Sequence, residues 1–375
     1  MQSLQNILSS YNDRAPLAEA STIPGPWYVD SRIAELEAKT VFSKTWQMVG
    51  RIEQVEKPGQ FVTANIAGEP IVAVRGNDGV LRAFYNVCRH HAAAVVTEAC
   101  GQANILHCPY HGWNYGLDGS LKGMPEFDGV KGFERQQNGL VPVKAEIWEK
   151  FVFVNLDSEA LGLREFLGGL VKQVASLEAS KLHYFDSRTY DIACNWKVFV
   201  DNYLDGGYHV PHLHKGLSSV LDYKEYTIEN EDRYCLQSSP MVVSDEDKST
   251  GATRKGDRAR YFWQYPNLMI NCYEGYMDTN LVLPLDVDHC QVIFDFYFAD
   301  VSEARRAYNE ESVAVGARVQ DEDLGICEAV QRGLKSRAYG AGRLSVRREA
   351  GEHLFHRLLA ADLKAGVESV AAAAD

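Results

Sequence analysis

The 375-residue sequence predicts an α+β protein in which an all-β domain, residues 45–155, is set into a mixed domain formed by 1–44 and 156–375 around a central antiparallel sheet. Three observations carry this. Short β-type runs separated by Gly, Asp and Asn fill the stretch from Gln47 to Asp157. Apolar residues near a 3.6 period mark helices on either side of it. Aromatic and β-branched runs then cluster late in the chain instead of alternating one by one with helices, which is the texture of an antiparallel sheet.

In order, residues 4–23 read as an irregular helix and linker, and SRIAELEAKTVFSKTW (31–46) as a helical stretch. FVTANI, PIVAVRG, LRAFYNV, ANILHC, WNYGLDGSL and FVFVNLD are the strands of the β domain. The Asp-Gly pair in GLDGS (116–120) signals a hairpin. Beyond Asp157 come a helix at about 164–178, a strand at 186–194 and a helix around 196–206. ARYFWQYP, LMINCYE, TNLVLPL and CQVIFDFYFA are strong strands, and a long helix begins near Glu303 and runs toward Arg337. The tail AGVESVAAAAD is expected to be disordered.

Composition narrows the function. An apolar fraction of 46% and a charged fraction of 24% belong to an ordinary globular protein with a sizeable core. A net charge of −13 argues against a nucleic-acid partner and mildly favours a cationic small molecule. The N-terminus reads as neither a secretory signal nor a transit peptide, and no run is apolar enough for a membrane span. Scattered cysteines in a chain of this size predict free thiols in a reducing cytoplasm, two of them metal ligands.

The densest chemistry lies between Asn86 and Trp113, which hold three of the eight Cys and four of the eleven His. Cys88-x-His90 and Cys108-x2-His111 are 17 residues apart. Two thiolates and two imidazoles can hold tetrahedral zinc, or a [2Fe–2S] centre with both Cys on one iron and both His on the other. Zinc sites usually pair Cys with Cys and His with His, whereas here each loop carries one of each, the ordering of a Rieske centre. His91 is expected to point away, Cys100 and His107 are bystanders, and Trp113 is a packing shield. A Rieske centre only moves electrons, so the chain needs a redox partner's docking face or a second site that uses them.

NWKVFVDNYLDGGYHVPHLHKG (195–216) is that candidate second site. Asp205 and His209 are four apart and share a face of a regular helix, whereas His214 lies about 140° around from His209. The two His can meet on one metal only if the helix is distorted or ends between them, and Pro211 offers the interruption. His209, His214 and a distant carboxylate would make a facial triad for non-haem iron, with His212 in a surface or supporting role. ARVQDEDLGICEAVQRG (317–333) offers Asp321, Glu322, Asp323 and Glu328, although such a charge run is ordinarily a solvated helix face. Val319, Leu324, Ile326, Cys327 and Val330 are expected to bury one side of this helix, and Asp323 borders it.

Taken together, C-x-H-x17-C-x2-H followed by D-N-Y-x-D and H-x4-H resembles the catalytic subunit of Rieske non-haem iron oxygenases, along nearly the whole chain. CPYHGWNYGLDGSL, NWKVFVDNYLDGGYHVP, YPNLMIN, MDTNLVLPL and DEDLGICEAVQRGL are similar to its choline-oxidising branch. The resemblance implies a Rieske domain followed by a helix-grip-type catalytic domain. It implies Cys88, His90, Cys108 and His111 as [2Fe–2S] ligands, and His209, His214 and Asp323 on a mononuclear Fe(II). It makes Asp205 the acidic link to a cluster His, His111, of a neighbouring subunit, and Asn202 a neighbour of the iron. It further implies a homotrimer that takes electrons from a ferredoxin or a flavin/iron–sulfur reductase and oxygenates its substrate with O2. Choline, converted to betaine aldehyde hydrate, is the expected substrate. Glycine betaine, carnitine or an aromatic compound is the alternative.

Three departures stand out. Many members place the acid three residues before the first His, and here it is four, with Gly206 and Gly207 between. The plant enzymes tend to carry Trp at the position of Tyr276 and begin with a chloroplast transit peptide, so a trimmed plant protein would belong to the stroma. A quaternary ammonium has no hydrogen-bond donor and must be read by aromatic faces or carboxylates. Trp263, Tyr273 and Tyr276 are the cage candidates, with Asp278 or Glu274 as counter-charge.

Overall fold

A computed structural model describes residues 2–242 and 247–374, and their backbone separates into two compact units, 38–166 and 1–37 with 167–375. The β unit is wider at both ends than composition alone suggested. A wide helical turn, Ala38–Phe42, precedes its first strand, and Asp157 and Leu161 fold back on it through Lys44 Nζ and Trp46 Nε1.

The β unit contains β1 (Gln47–Arg51), β2 (Gln60–Ile66), β3 (Glu69–Arg75), β4 (Leu81–Tyr85), β5 (Cys100–Gln102), β6 (Leu106–His107), β7 (Asn114–Tyr115), β8 (Leu121–Gly123), β9 (Pro142–Trp148) and β10 (Phe151–Asn155). Seven of them form an antiparallel sheet in the order β1-β10-β9-β4-β3-β2-β5, and β6-β7-β8 form a separate small sheet. The Asp-Gly hairpin is present: Gly116 N bonds Ser120 O at 2.8 Å and Gly119 has φ +80° between β7 and β8. Phe61, Val72, Val74, Phe84, Trp113 and Tyr115 form a buried core that also encloses Cys88 and Cys108.

The second unit is built on one antiparallel sheet: β11 (His183–Ile192), β12 (Thr227–Glu231), β13 (Tyr234–Pro240), β14 (Arg258–Gln264), β15 (Leu268–Tyr273), β16 (Tyr276–Pro284) and β17 (Cys290–Phe298), ordered β11-β17-β16-β15-β14-β13-β12. The expected strands between 259 and 299 are all there, whereas β12 and β13 escaped the sequence reading. Four helices matter for the site: α1 (Trp196–Leu204), α2 (Val210–Leu213), α3 (Arg306–Leu334) and α4 (Ala350–Ala374). The expected helix at 164–178 is broken into Leu163–Leu167 and Leu170–Ala175 at Gly168, φ +55°. The tail expected to be disordered is instead the end of α4, with Asp375 outside the described residues. Its alanines are the strongest helix formers, and the helix is anchored upstream by the buried Phe355, Leu359 and Leu363.

α1 is held with unusual firmness. Asn195 caps it by accepting from Lys197 N at 3.1 Å. Trp196, Val198, Phe199 and Val200 are buried, and Lys197 itself is fully buried against Glu37, Nζ to Oε1 2.6 Å. Trp196 Nε1 donates to the other oxygen of Glu37 at 2.8 Å. Removing one member of such a pair leaves an uncompensated buried charge, at a cost of about 3–5 kcal/mol.

Candidate functional site

In the β unit two loops repeat one closure. Cys88 N bonds Ala93 O at 2.8 Å and Ala92 N bonds Cys88 O at 3.0 Å; in the second loop Cys108 N bonds Trp113 O at 2.8 Å and Gly112 N bonds Cys108 O at 3.1 Å. Ala92 (φ +62°) and Gly112 (φ +72°) turn the chain at the same point of each loop. Asn86 braces the first loop, its Oδ1 accepting from Val95 N and Val96 N, both at 2.9 Å. The closure presents each loop's sulfur inward and its imidazole outward: Cys88 and Cys108 are buried, His90 is half-buried and His111 is exposed. Burial pushes the Cys108 thiol up, against hydrogen bonds from the backbone of Tyr110 and His111, and Cys88 is within hydrogen-bond reach of it.

This arrangement decides between the two metals the spacing allowed. A tetrahedral zinc needs all four donor atoms around one point. Among the described residues, neither Cys joins His90 and His111 in a set of three or more donors lying within 4.8 Å of one another. Two sulfurs on one side and two imidazoles on the other fit a two-iron centre. The buried His90 Nδ1 has no hydrogen-bond partner, as expected of an atom kept for a metal. His91 does not turn away as expected; its ring lies 4.1 Å from that of His90 and its donor atom joins the His90–His111 group. Trp113 stacks on His90 at 4.8 Å and 4° between planes, the shield read from the sequence. Cys100 is exposed on β5, and His107 Nδ1 pairs with Asn114 Oδ1 at 2.6 Å.

In the second unit His209, His214 and Asp323 bring one donor atom each within 4.8 Å of the others. The chain achieves this differently from the sequence expectation. α1 ends at Leu204, and Gly206 and Gly207 (φ +67° and +68°) make the turn before His209 is reached. A Cβ on Gly206 would lie 2.0 Å from Arg348 O, so that position excludes every other residue. Pro211 does not interrupt a helix; it opens α2, whose last turn delivers His214. The extra glycine therefore supplies the reversal that a regular helix could not. His212 is exposed.

Each group in this set is oriented from behind. Asp205 Oδ2 lies 2.6 Å from His209 Nδ1 and accepts from His209 N at 2.9 Å, while Oδ1 accepts from Tyr208 N at 3.0 Å. His209 Nε2 is left 3.8 Å from Asp323 Oδ1. His214 Nδ1 lies 2.6 Å from Glu322 Oε2 and its Nε2 3.1 Å from Asp323 Oδ1. Burial opposes the charged His214 ring, but Asp323 and Glu322 outweigh it and hold its pKa above the usual value. Asn202 Nδ2 donates to Asp323 Oδ1 at 2.8 Å. Glu322 is one of the three acids of this run to which the sequence assigned no role. Both exposed positions of α3 expected in the core, Ile326 and Val330, face solvent. The buried stripe runs through Ser312, Val315, Gln320, Asp323 and Cys327, and its polar members hid it from an apolar periodicity count.

The set opens on a cavity of about 130 Å³ bordered by Tyr203, Tyr226, Tyr261, Tyr273, Arg254 and Asp278 among others. Of the three cage candidates only Tyr273 borders it. Trp263 is a correction: it is fully buried, donates Nε1 to Pro266 O at 3.1 Å and packs on Tyr265 and Phe355. It lies two residues beyond Tyr261 on β14, nearly 7 Å farther along. Tyr276 lies one layer behind, its OH donating to Asp278 Oδ1 at 2.7 Å. Glu274 is exposed, while Asp278 is buried, which pushes its pKa up against the pull of Arg254, Tyr276, Asn271 and Asn280. Tyr203, Tyr226 and Arg254 were missed; the first two lie outside the aromatic strands, and Arg254 sits in a basic stretch that reads as solvated.

Comparison with known proteins finds a match for each of the two units. A Rieske [2Fe-2S] domain profile matches residues 45–134, and one described as ring hydroxylating alpha subunit (catalytic domain) matches 179–365. The chain is 37% identical to the chloroplastic choline monooxygenase of Arabidopsis thaliana, over 96% of this chain and 87% of that one. It is 34% identical to the carnitine monooxygenase oxygenase subunit of Escherichia coli K12, over 91% and 94%. A solved quaternary ammonium Rieske monooxygenase, described with carnitine oxidation and inter-subunit electron transfer, superposes with a TM-score of 0.83 at 31% identity, covering 92% of this chain and 95% of that one.

Proposed function

Because the chain belongs to the Rieske non-haem iron oxygenases, matching their catalytic subunits over nearly its whole length, we propose that it oxygenates a small quaternary ammonium compound, choline or a close relative. The family carries a [2Fe–2S] cluster and a mononuclear iron and needs O2 and an external electron donor. The overall change is R–H + O2 + 2e⁻ + 2H⁺ → R–OH + H2O; with choline, oxygen enters the carbon bearing the hydroxyl and betaine aldehyde hydrate results. When bound, the cluster supplies single electrons and the iron supplies the place where O2 is reduced.

In this reading Cys88, His90, Cys108 and His111 hold the cluster, and His209, His214 and Asp323 hold the iron. Asp205 and Glu322 accept hydrogen bonds from the Nδ1–H groups of His209 and His214, which would leave both Nε2 lone pairs for the iron. Asn202 occupies Asp323 Oδ1. The tyrosines keep water from the reacting carbon and offer ring faces to a cation that cannot be hydrogen-bonded. Asp205 would also link this site to a cluster held by the partner subunit's His111 in a homotrimer; the exposure of His111 and the short Asp205–His209 contact support this. A ferredoxin or a flavin/iron–sulfur reductase fits as donor. Eight cysteines without a disulfide fit a cytoplasmic setting, and no helix among the described residues is long and apolar enough to cross a membrane.

The observation that carries the proposal is the tyrosine-walled cavity opening on His209, His214 and Asp323. Product analysis of the holoenzyme with a competent reductase tests it, using choline, glycine betaine, carnitine and an aromatic acid. Oxygenation of at least one trimethylammonium compound is expected. Turnover of the aromatic acid alone would overturn the reading.

A further inference from the structure

The same cavity holds a permanent positive charge. Arg254, only 6% exposed, borders it at the end of the helix Lys248–Thr253. Its Nη1 donates to Ser312 Oγ at 2.6 Å, and its Nη2 to Ser312 O at 3.2 Å and Tyr276 OH at 3.3 Å. Of the five N–H groups of a guanidinium these bonds use three, and the Tyr273 hydroxyl is also within its hydrogen-bond reach, which leaves at least one N–H for a ligand. The cation lies 4.3 Å from the centre of the Tyr276 ring and 5.2 Å from that of Tyr273. The Tyr273 ring, the one expected cage member that borders the cavity, therefore already meets a cation belonging to the protein.

Asp278 attracts the guanidinium but has no oxygen free for a ligand. Its Oδ1 accepts from Tyr276 at 2.7 Å, and its Oδ2 from Asn271 at 2.7 Å and Asn280 at 3.0 Å, so both oxygens are engaged inside the wall. α3 fixes where Arg254 stands relative to the reacting end. Gly316, whose missing Cβ would come within 3.5 Å of Arg254 Nη2, lies two turns before Asp323 on the face bordering the cavity. Seven residues of α-helix span roughly 10 Å. The cavity thus has His209, His214 and Asp323 at one end and a buried guanidinium at the other. Tyr203, Tyr226 and Tyr261 border the same space.

We propose that Arg254 is a carboxylate-reading subsite, so that the preferred substrate is a zwitterion carrying both a trimethylammonium group and a carboxylate. This rests on the quaternary ammonium reading above and deepens it. A simple cation such as choline must share a water-poor cavity with a fixed like charge. A carboxylate instead meets a planar donor that matches it and gives charge-assisted hydrogen bonds.

The test uses the matched pair glycine betaine and choline, which share a trimethylammonium-methylene frame and differ in carboxylate against hydroxymethyl; carnitine serves as a longer zwitterion. Two readouts are taken on the holoenzyme: kcat/KM with reductase, and the shift in melting temperature caused by each compound without reductant. The wild type is expected to prefer at least one zwitterion over choline by about 30-fold, equivalent to ~2 kcal/mol at 1.4 kcal/mol per decade. Arg254→Met is expected to bring that ratio close to one in both readouts, and Arg254→Lys to keep part of it, whatever rate all substrates lose together. If Arg254→Met does not fold, the wild-type ratio and Arg254→Lys still decide. A wild type preferring choline, or a ratio unchanged in the variants, overturns the subsite while leaving the quaternary ammonium reading intact. If no trimethylammonium compound is bound or turned over, that reading fails too.

Discussion

Replacing Asp205 by Asn probes the support behind His209. The carboxylate receives three contacts: Oδ2 faces His209 Nδ1 at 2.6 Å and His209 N at 2.9 Å, and Oδ1 faces Tyr208 N at 3.0 Å. Asn offers one carbonyl oxygen, so its amide nitrogen must face an N–H on one side or the other. With a side chain only 16% exposed, that mismatch costs about 1–3 kcal/mol of stability. Loss of the carboxylate behind a ligating His typically weakens a metal site about 10–100-fold, or ~1.4–2.7 kcal/mol. The assay is Fe(II) titration of the metal-free variant, then turnover with reductase at saturating iron. Iron affinity is expected to fall in that range, and turnover to stay slow after full loading while the cluster is still reduced normally. Wild-type turnover at full loading would refute the relay role. Unchanged iron affinity would refute the orienting role, and complete loss of iron binding would make Asp205 a ligand.

Three further outcomes follow from the same geometry. Cys108→Ser is expected to abolish the visible absorption of the cluster and remove two irons per chain while leaving the mononuclear one, read by metal analysis against wild type. Lys197→Met, which strands the buried Glu37, is expected to lower unfolding free energy in urea by about 3–5 kcal/mol, and the double variant Lys197→Met, Glu37→Leu to recover most of it. Burial, followed by Asp201, Glu349 and Asp205, raises the Glu352 carboxyl well above the usual value of 4.5. The folded state then holds a proton that the unfolded state has released, so stability falls as pH rises above about 4.5. Glu352→Gln is expected to flatten that fall, measured as melting temperature against pH; an unchanged slope would show that Glu352 does not cause it.

The proposed cluster ligands stand out in the sequence because they are local. Each loop offers a Cys and a His two or three positions apart, and their order is what suggests a split between two irons. The proposed iron ligands were legible only in their identities. His209, His214 and Asp323 could be named from motif resemblance, yet the break was assigned to Pro211, whereas α1 already ends before His209 at Gly206 and Gly207 and the two His flank the short helix α2. Asp323 was placed at the edge of an apolar face whose buried stripe is in fact largely polar. Periodicity sees hydrophobicity, and a helix that builds a site puts polar groups on its buried side.

The sequence by itself determined the two segments proposed to bind metal, the β domain, and most strands of the second sheet, since all of these rest on spacing and alternation within short windows. Only the tertiary structure decided what the cavity can read. Trp263 and Tyr261 are two residues apart on one strand, yet one is packed under α4 and the other borders the cavity. Glu322 supports His214 across 108 positions, and Arg254 meets Ser312 across 58. Such contacts depend on how the strands and α3 are laid over one another, a matter of packing between distant segments that no local pattern encodes.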